Sequence, residues 1–124
     1  MKTSRDPRHL QRQTIVKNLF AQSFLKQATN DPKIKTILEN LEQIDGYIVQ
    51  IAPEFPIDKL NRVDLAILRL GVYEIMVENK EPQKVVVDEA IELAKELGGE
   101  TSPAFINGAL GKLLKDYAPT EAKN

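Results

Sequence analysis

The sequence predicts an all-α fold, and three observations carry the prediction. Residues Leu60 to Met76 are apolar almost all the way round. A surface helix shows a polar stripe at the 3.6-residue period, so this segment reads as a helix buried among others. Three further segments open with a capping residue followed by proline: Asp6-Pro7, Asp31-Pro32 and Ser102-Pro103. Proline loses no hydrogen bond at the first helical position, and the preceding side chain accepts from an orphan N–H. Finally, no stretch alternates with period two or carries a hairpin turn.

Taken in order, the first helix is expected from Pro7 to about Gln27, with Ile15, Val16, Leu19, Phe20 and Phe24 facing inward. Followed backwards, that stripe lands on Arg12 and Arg8. Either the first two turns overhang the core, or these arginines lie on an acidic shoulder of the body. A second helix is expected from Pro32 to about Ile51, where Ile34, Ile37, Leu38, Leu41, Ile44, Ile48 and Ile51 keep the 3–4 spacing. Pro53 and Pro56 break it. A short turn over Ile57 to Leu60 feeds the central helix, which Asn61 caps with Asp64 in the capping-box position. The next helix runs from Pro82 to Leu97, with Val86, Val87, Ala90, Ile91 and Ala94 inward and Asp88, Glu89, Glu92, Lys95 and Glu96 mostly outward. Gly98-Gly99 supplies a left-handed stop. The last helix spans Pro103 to about Tyr117. Gly108 and Gly111 cost it about 1 kcal/mol each against Ala, which suggests a close backbone neighbour there.

The 124 residues, 42% of them apolar, suffice for one domain or two small helical halves sharing a core. We expect a single domain over residues 1–117, with halves at about 1–55 and 56–117, and a flexible tail at 118–124. Without cysteine there is no disulfide, thiolate nucleophile or Cys-based metal site. No run reaches membrane-spanning length and no signal-peptide core is present, so a soluble cytoplasmic protein is expected. The net charge of −1 conceals a dipolar layout. Residues 1–28 hold six cations against Asp6 alone, while residues 74–100 hold eight carboxylates against three lysines. The basic end either has its own partner or is attracted to the acidic end within the fold.

Catalytic signatures are missing. His9 is the only histidine and sits among arginines, so a Ser-His or Cys-His pair is not indicated. No glycine-rich loop follows a strand to cradle phosphate, and no metal or cofactor is expected. Arg69 lies on the central helix among Leu65, Leu68, Leu70 and Val72. A buried guanidinium needs a carboxylate, for which Glu74 and Glu89 are the candidates. Arg5, Arg8, His9 and Arg12 form the best functional feature. They offer several phosphate donors beside the positive end of a helix dipole.

Three segments resemble the transcription antitermination factor NusB family. Leu65-Ala66-Ile67-Leu68-Arg69-Leu70-Gly71-Val72-Tyr73-Glu74-Ile75 is similar to its central Ile-Leu-Arg…Tyr-Glu signature. Val86-Val87-Asp88-Glu89-Ala90-Ile91-Glu92-Leu93-Ala94-Lys95 resembles its next helix, and Ser102-Pro103-Ala104-Phe105-Ile106-Asn107-Gly108-Ala109-Leu110 resembles its Phe-Val-Asn-Gly-Val-Leu motif. They occur in family order over residues 60–114. The resemblance implies two three-helix bundles around a buried central helix. It also implies a non-enzymatic role in antitermination on ribosomal RNA operons, with no cofactor. The implied partners are single-stranded boxA-like RNA, NusE (a small-subunit ribosomal protein) and the RNA polymerase antitermination complex. Homodimerisation is left open.

By the same resemblance Arg5, Arg8 and Arg12 match the arginines that contact RNA, Phe105 matches an aromatic on the RNA side, and Asp64 matches a NusE-facing acid. The chain departs from the family pattern at Leu10 and Gln11, which thin the arginine cluster, at Thr101, and at Gly111. A second reading follows from the thin cluster: an interaction module that keeps the fold and the NusE contact with weak or lost RNA binding.

Overall fold

A computed structural model describes residues 6–121, and Arg5 lies outside that range. Six α-helices and two short turns of other helix types make up its regular structure, and the described residues contain no strand. Among them, too, no helix is long and apolar enough to cross a membrane.

Helix α1 spans Pro7–Gln22, and Asp6 caps it by accepting from the Arg8 N–H at 2.9 Å. It stops five residues before the expected end. The Ser23 hydroxyl donates back to the Phe20 carbonyl at 2.6 Å, and the Gln22 amide closes a loop onto both backbone groups of Gln27. These side-chain bonds compete with the helical ones for the same backbone. Phe24 and Leu25 consequently lie outside the helix and are exposed.

The expected second helix is two helices. α2 covers Pro32–Glu39 and α3 covers Leu41–Ile51, meeting at Asn40 (φ −109°, ψ 14°). The Asn40 side-chain amide and backbone N–H both donate to the Thr36 carbonyl, at 2.7 and 3.2 Å. The isoleucine stripe survives the break, and Ile34, Ile37, Ile44, Ile48 and Ile51 are all buried.

The central helix α4 spans Arg62–Val72. Asn61 caps it by accepting from the Val63 and Asp64 N–H groups. Past Val72 the chain continues as a π-turn over Tyr73–Glu78, where the Asn79 N–H donates to the Glu74 carbonyl five residues back. Asn79 then ends it in the left-handed region at φ 50°. α4 packs against α1, α3, α5 and α6, and Leu65, Ala66, Ile67, Leu68, Leu70 and Val72 are buried to 2% exposure or less.

Helices α5 (Gln83–Leu97) and α6 (Ser102–Asp116) complete the second group of three. Their junction corrects the expected left-handed stop, because Gly98 has φ −91° and no glycine has positive φ. The reason for glycine is close approach. A Cβ at Gly98 would lie 2.7 Å from Ser102 Cβ and 2.8 Å from the Ala94 carbonyl. Gly108 and Gly111, in contrast, face open space, and the glycine that takes a neighbour is Gly71, against Leu110. Ala118–Glu121 are tied to the start of α5: Gln83 donates its side-chain amide to the Pro119 carbonyl and its N–H to Glu121.

Candidate nucleic-acid interface

Of the basic residues at the start of α1, the structure leaves Arg8 outside and takes two others in. The Arg8 side chain is 70% exposed, whereas His9 and Arg12 are 3% and 6% exposed as whole residues. All three share one stripe, since Arg8 lies about 40° and His9 about 60° around the axis from Arg12. His9 and Arg12 meet carboxylates, whereas the Arg8 guanidinium, in the first turn, stands 3.6 Å from Asp6 and stays exposed. The expectation that His9 and Arg12 offer free donors to phosphate is thus corrected. The acidic shoulder, one of the two sequence alternatives, is what α1 meets.

That shoulder is built from the π-turn and α5. Arg12 Nε donates to Glu74 Oε1 at 3.0 Å and Oε2 at 3.2 Å, and Nη1 donates to Glu89 Oε1 at 3.2 Å. Glu81 lies 3.8 Å from Nη2. Lys33 of α2 reaches the same Glu74 at 2.7 Å and Glu78 at 3.5 Å. His9 stands between Glu89 and Glu96, and Gln13 also donates to Glu96. Burial pulls against the charge on Arg12, but Glu74 and then Glu89 and Glu81 outweigh it and raise its pKa further. Glu89, expected to face mostly outward, is 3% exposed at the centre of this cluster. The cluster joins α1, α2, the π-turn and α5 across up to 87 residues of sequence separation. Burying so many charges is tolerable because each described carboxylate in it meets a cation or donor.

Arg69 is held by neither expected partner. Its Nε and Nη2 donate to Asp45 Oδ1 and Oδ2 of α3 at 2.9 and 2.8 Å, a bidentate pair. Glu74 is five residues on, which turns it about 140° away around the helix axis. Asp45 sits beside the buried Ile44 on the helix that α4 packs against.

The other predicted residues lie at the opposite end of α4. Phe105 is half-buried at the start of α6 and Asp64 is 8% exposed, and both line a groove of about 560 Å³ with Phe55, Lys59, Leu60, Asn61, Thr101 and Ala104. Asp64 turns toward the Ser102 hydroxyl, which itself accepts from the Gly99 N–H at 3.0 Å. Burial pushes the Asp64 carboxyl above its usual range, and Ser102 only partly offsets it. Its Oδ1 has no hydrogen-bond partner. Ten residues separate Asp64 from Glu74, so at helical rise the two sites lie about 15 Å apart along α4. Sequence reading missed Lys33, Glu74, Glu81, Glu89 and Glu96 as one cluster. The signals available were the charge asymmetry and the stripe of α1 stepping back onto Arg12.

Residues 9–115 match the sequence profile of the NusB family. The transcription antitermination protein NusB of Pseudothermotoga lettingae is 37% identical over 113 residues, covering 90% of this chain and 81% of that protein. Its counterpart from Clostridium botulinum (strain Loch Maree) is 51% identical over 81 residues, or 65% of this chain and 57% of that protein. A solved structure of Thermotoga maritima NusB superposes with a TM-score of 0.81 at 34% identity and covers 96% of both chains.

Proposed function

This chain belongs to the NusB family, and we propose that it acts in transcription antitermination by binding single-stranded boxA-like RNA of ribosomal RNA operons together with NusE. The observation that carries the reading is the family match across residues 9–115, which takes in α1, the central helix and the α6 motif. On this reading the chain is an adaptor rather than an enzyme, one that serves the RNA polymerase antitermination complex.

Arg8, with Arg5 just before it, contacts phosphates at the positive end of α1. Arg12 and His9 serve the same contact from inside, by fixing the helix start against the acidic shoulder. Phe105 offers a ring to an unpaired base at the start of α6. Asp64, in the same groove, faces NusE. Its buried, unpartnered oxygen favours a partner that brings a donor. A specific observation favours the second reading, the interaction module: with His9 and Arg12 committed to carboxylates, Arg8 is the described basic residue of the cluster that stays exposed, and Asp6 stands 3.6 Å from its guanidinium.

The test is titration of a labelled boxA-like oligonucleotide at several salt concentrations, with and without NusE. Arg8→Ala is expected to flatten the salt dependence by about 0.7 in log–log slope, the share of one single-strand phosphate contact. Phe105→Ala weakens binding by about 1–3 kcal/mol at every salt concentration. No measurable RNA affinity with NusE present would overturn the RNA reading in favour of the interaction module.

A further inference from the structure

His9 stands in the first turn of α1 with both ring nitrogens against acid. Nε2 is 2.7 Å from Glu96 Oε1 and Nδ1 is 3.2 Å from Glu89 Oε1, and the side chain is 4% exposed. A neutral imidazole has one donor and one acceptor, so in either tautomer a lone pair would face a carboxylate oxygen. The imidazolium alone donates to both. Away from water, the mismatch in the neutral ring is costly, because no solvent relieves it.

The surroundings favour the cation. Glu89 and Glu96 face the ring from α5, while Arg12 and Gln13 of α1 share those same two carboxylates. Beyond Arg12 stand Glu74, Glu78 and Glu81, with Lys33 of α2 between the first two. Among these described groups acids outnumber the fixed cations.

We propose that His9 is a proton-operated clamp: as an imidazolium it ties the first turns of α1 to α5, and on losing its proton it releases the segment that carries the exposed Arg8. Its control of RNA affinity rests on the function proposed above, whereas the clamp itself does not. Burial alone would lower the ring's pKa, but the hydrogen bonds and charges of Glu96 and Glu89 outweigh it and raise it. A raised value means that the fold holds this proton more tightly than the unfolded chain does. The stabilisation is complete below the ordinary value of 6.5 and is lost as pH rises through the folded-state value.

The chain has one histidine, so its ring resonances report the site without ambiguity. In the intact protein the ring is expected to titrate above 6.5. Amide protection at Leu10 to Gln13, corrected for intrinsic exchange, falls across the same pH interval. His9→Gln shows the lowered protection at every pH. A ring that titrates at or below 6.5, or protection that stays constant across its titration, overturns the clamp. In parallel, affinity for the boxA-like oligonucleotide is expected to fall several-fold over that interval in the parent chain and to stay flat in His9→Gln. Falling protection with constant RNA affinity overturns the link to RNA and leaves the clamp. Falling protection with no RNA binding at any pH supports the clamp and sinks the RNA reading instead.

Discussion

Asp64 and Arg12 are both buried charges, yet they stand in opposite situations. Arg12 meets three carboxylates, so its removal leaves Glu74 to Lys33 and Glu89 to His9, with a cation fewer in a site shielded from water. Arg12→Ala is expected to cost about 3–5 kcal/mol and to appear as a lowered melting temperature. Asp64 has only the Ser102 hydroxyl to offset its desolvation, and its pKa is raised. The fold then binds the Asp64 proton more tightly than the unfolded chain. Stability from this group is therefore present below the ordinary value of 3.8 and declines as pH rises through the folded-state value. Asp64→Asn, which keeps the shape and removes the charge, is expected to raise the melting temperature at pH 7 and to leave it unchanged near pH 3. A lowered melting temperature at pH 7 would show that the ionised carboxylate is favoured where it stands. The same substitution weakens NusE binding if Asp64 faces that partner.

Among the elements, the π-turn over Tyr73–Glu78 connects the central helix to the charge cluster. An α-helix continued past Val72 would bond each N–H four residues back, whereas here Asn79 reaches the Glu74 carbonyl five back. Glu74 lies in this turn at 2% exposure, with Arg12 and Lys33 on its carboxylate. Asn79 ends the turn at φ 50°, a conformation that asparagine and glycine tolerate and alanine does not. Asn79→Ala is expected to destabilise by about 1–2 kcal/mol, and Asn79→Gly to fall well short of that. Thermal melts of the two variants side by side check the ordering. Equal losses would mean that the Asn79 side chain matters rather than its backbone.

At the scale of the whole molecule, α4 touches helices of both groups of three, and the buried apolar residues of α1–α3 and α4–α6 form one connected core. The division at about residue 55 is therefore proposed as one of topology within a single folding unit. Far-ultraviolet circular dichroism and the ring signals of Tyr47 and Tyr73, one in each half, are expected to report coincident unfolding in urea. Two separated transitions would mean that the halves fold alone. The acidic shoulder adds to this unity, since it connects the first helix to the fifth through side chains rather than apolar packing.

The sequence by itself determined the all-helical class, the apolar stripes and the caps at Asp6, Asp31 and Asn61. These depend on spacing along one segment and on backbone groups a few residues away. It also carried the family motifs and, in the charge asymmetry between the chain's ends, a sign that α1 meets an acidic surface. Tertiary structure decided which charges are spent inside the fold. Arg8 and Arg12 look alike in sequence and share one stripe a turn apart, but only the second finds Glu74, across 62 residues. Likewise Arg69 took Asp45 from another helix, because Glu74 points the other way around the axis. Which cation meets which carboxylate is fixed by how helices are placed against one another, and no local spacing encodes that placement.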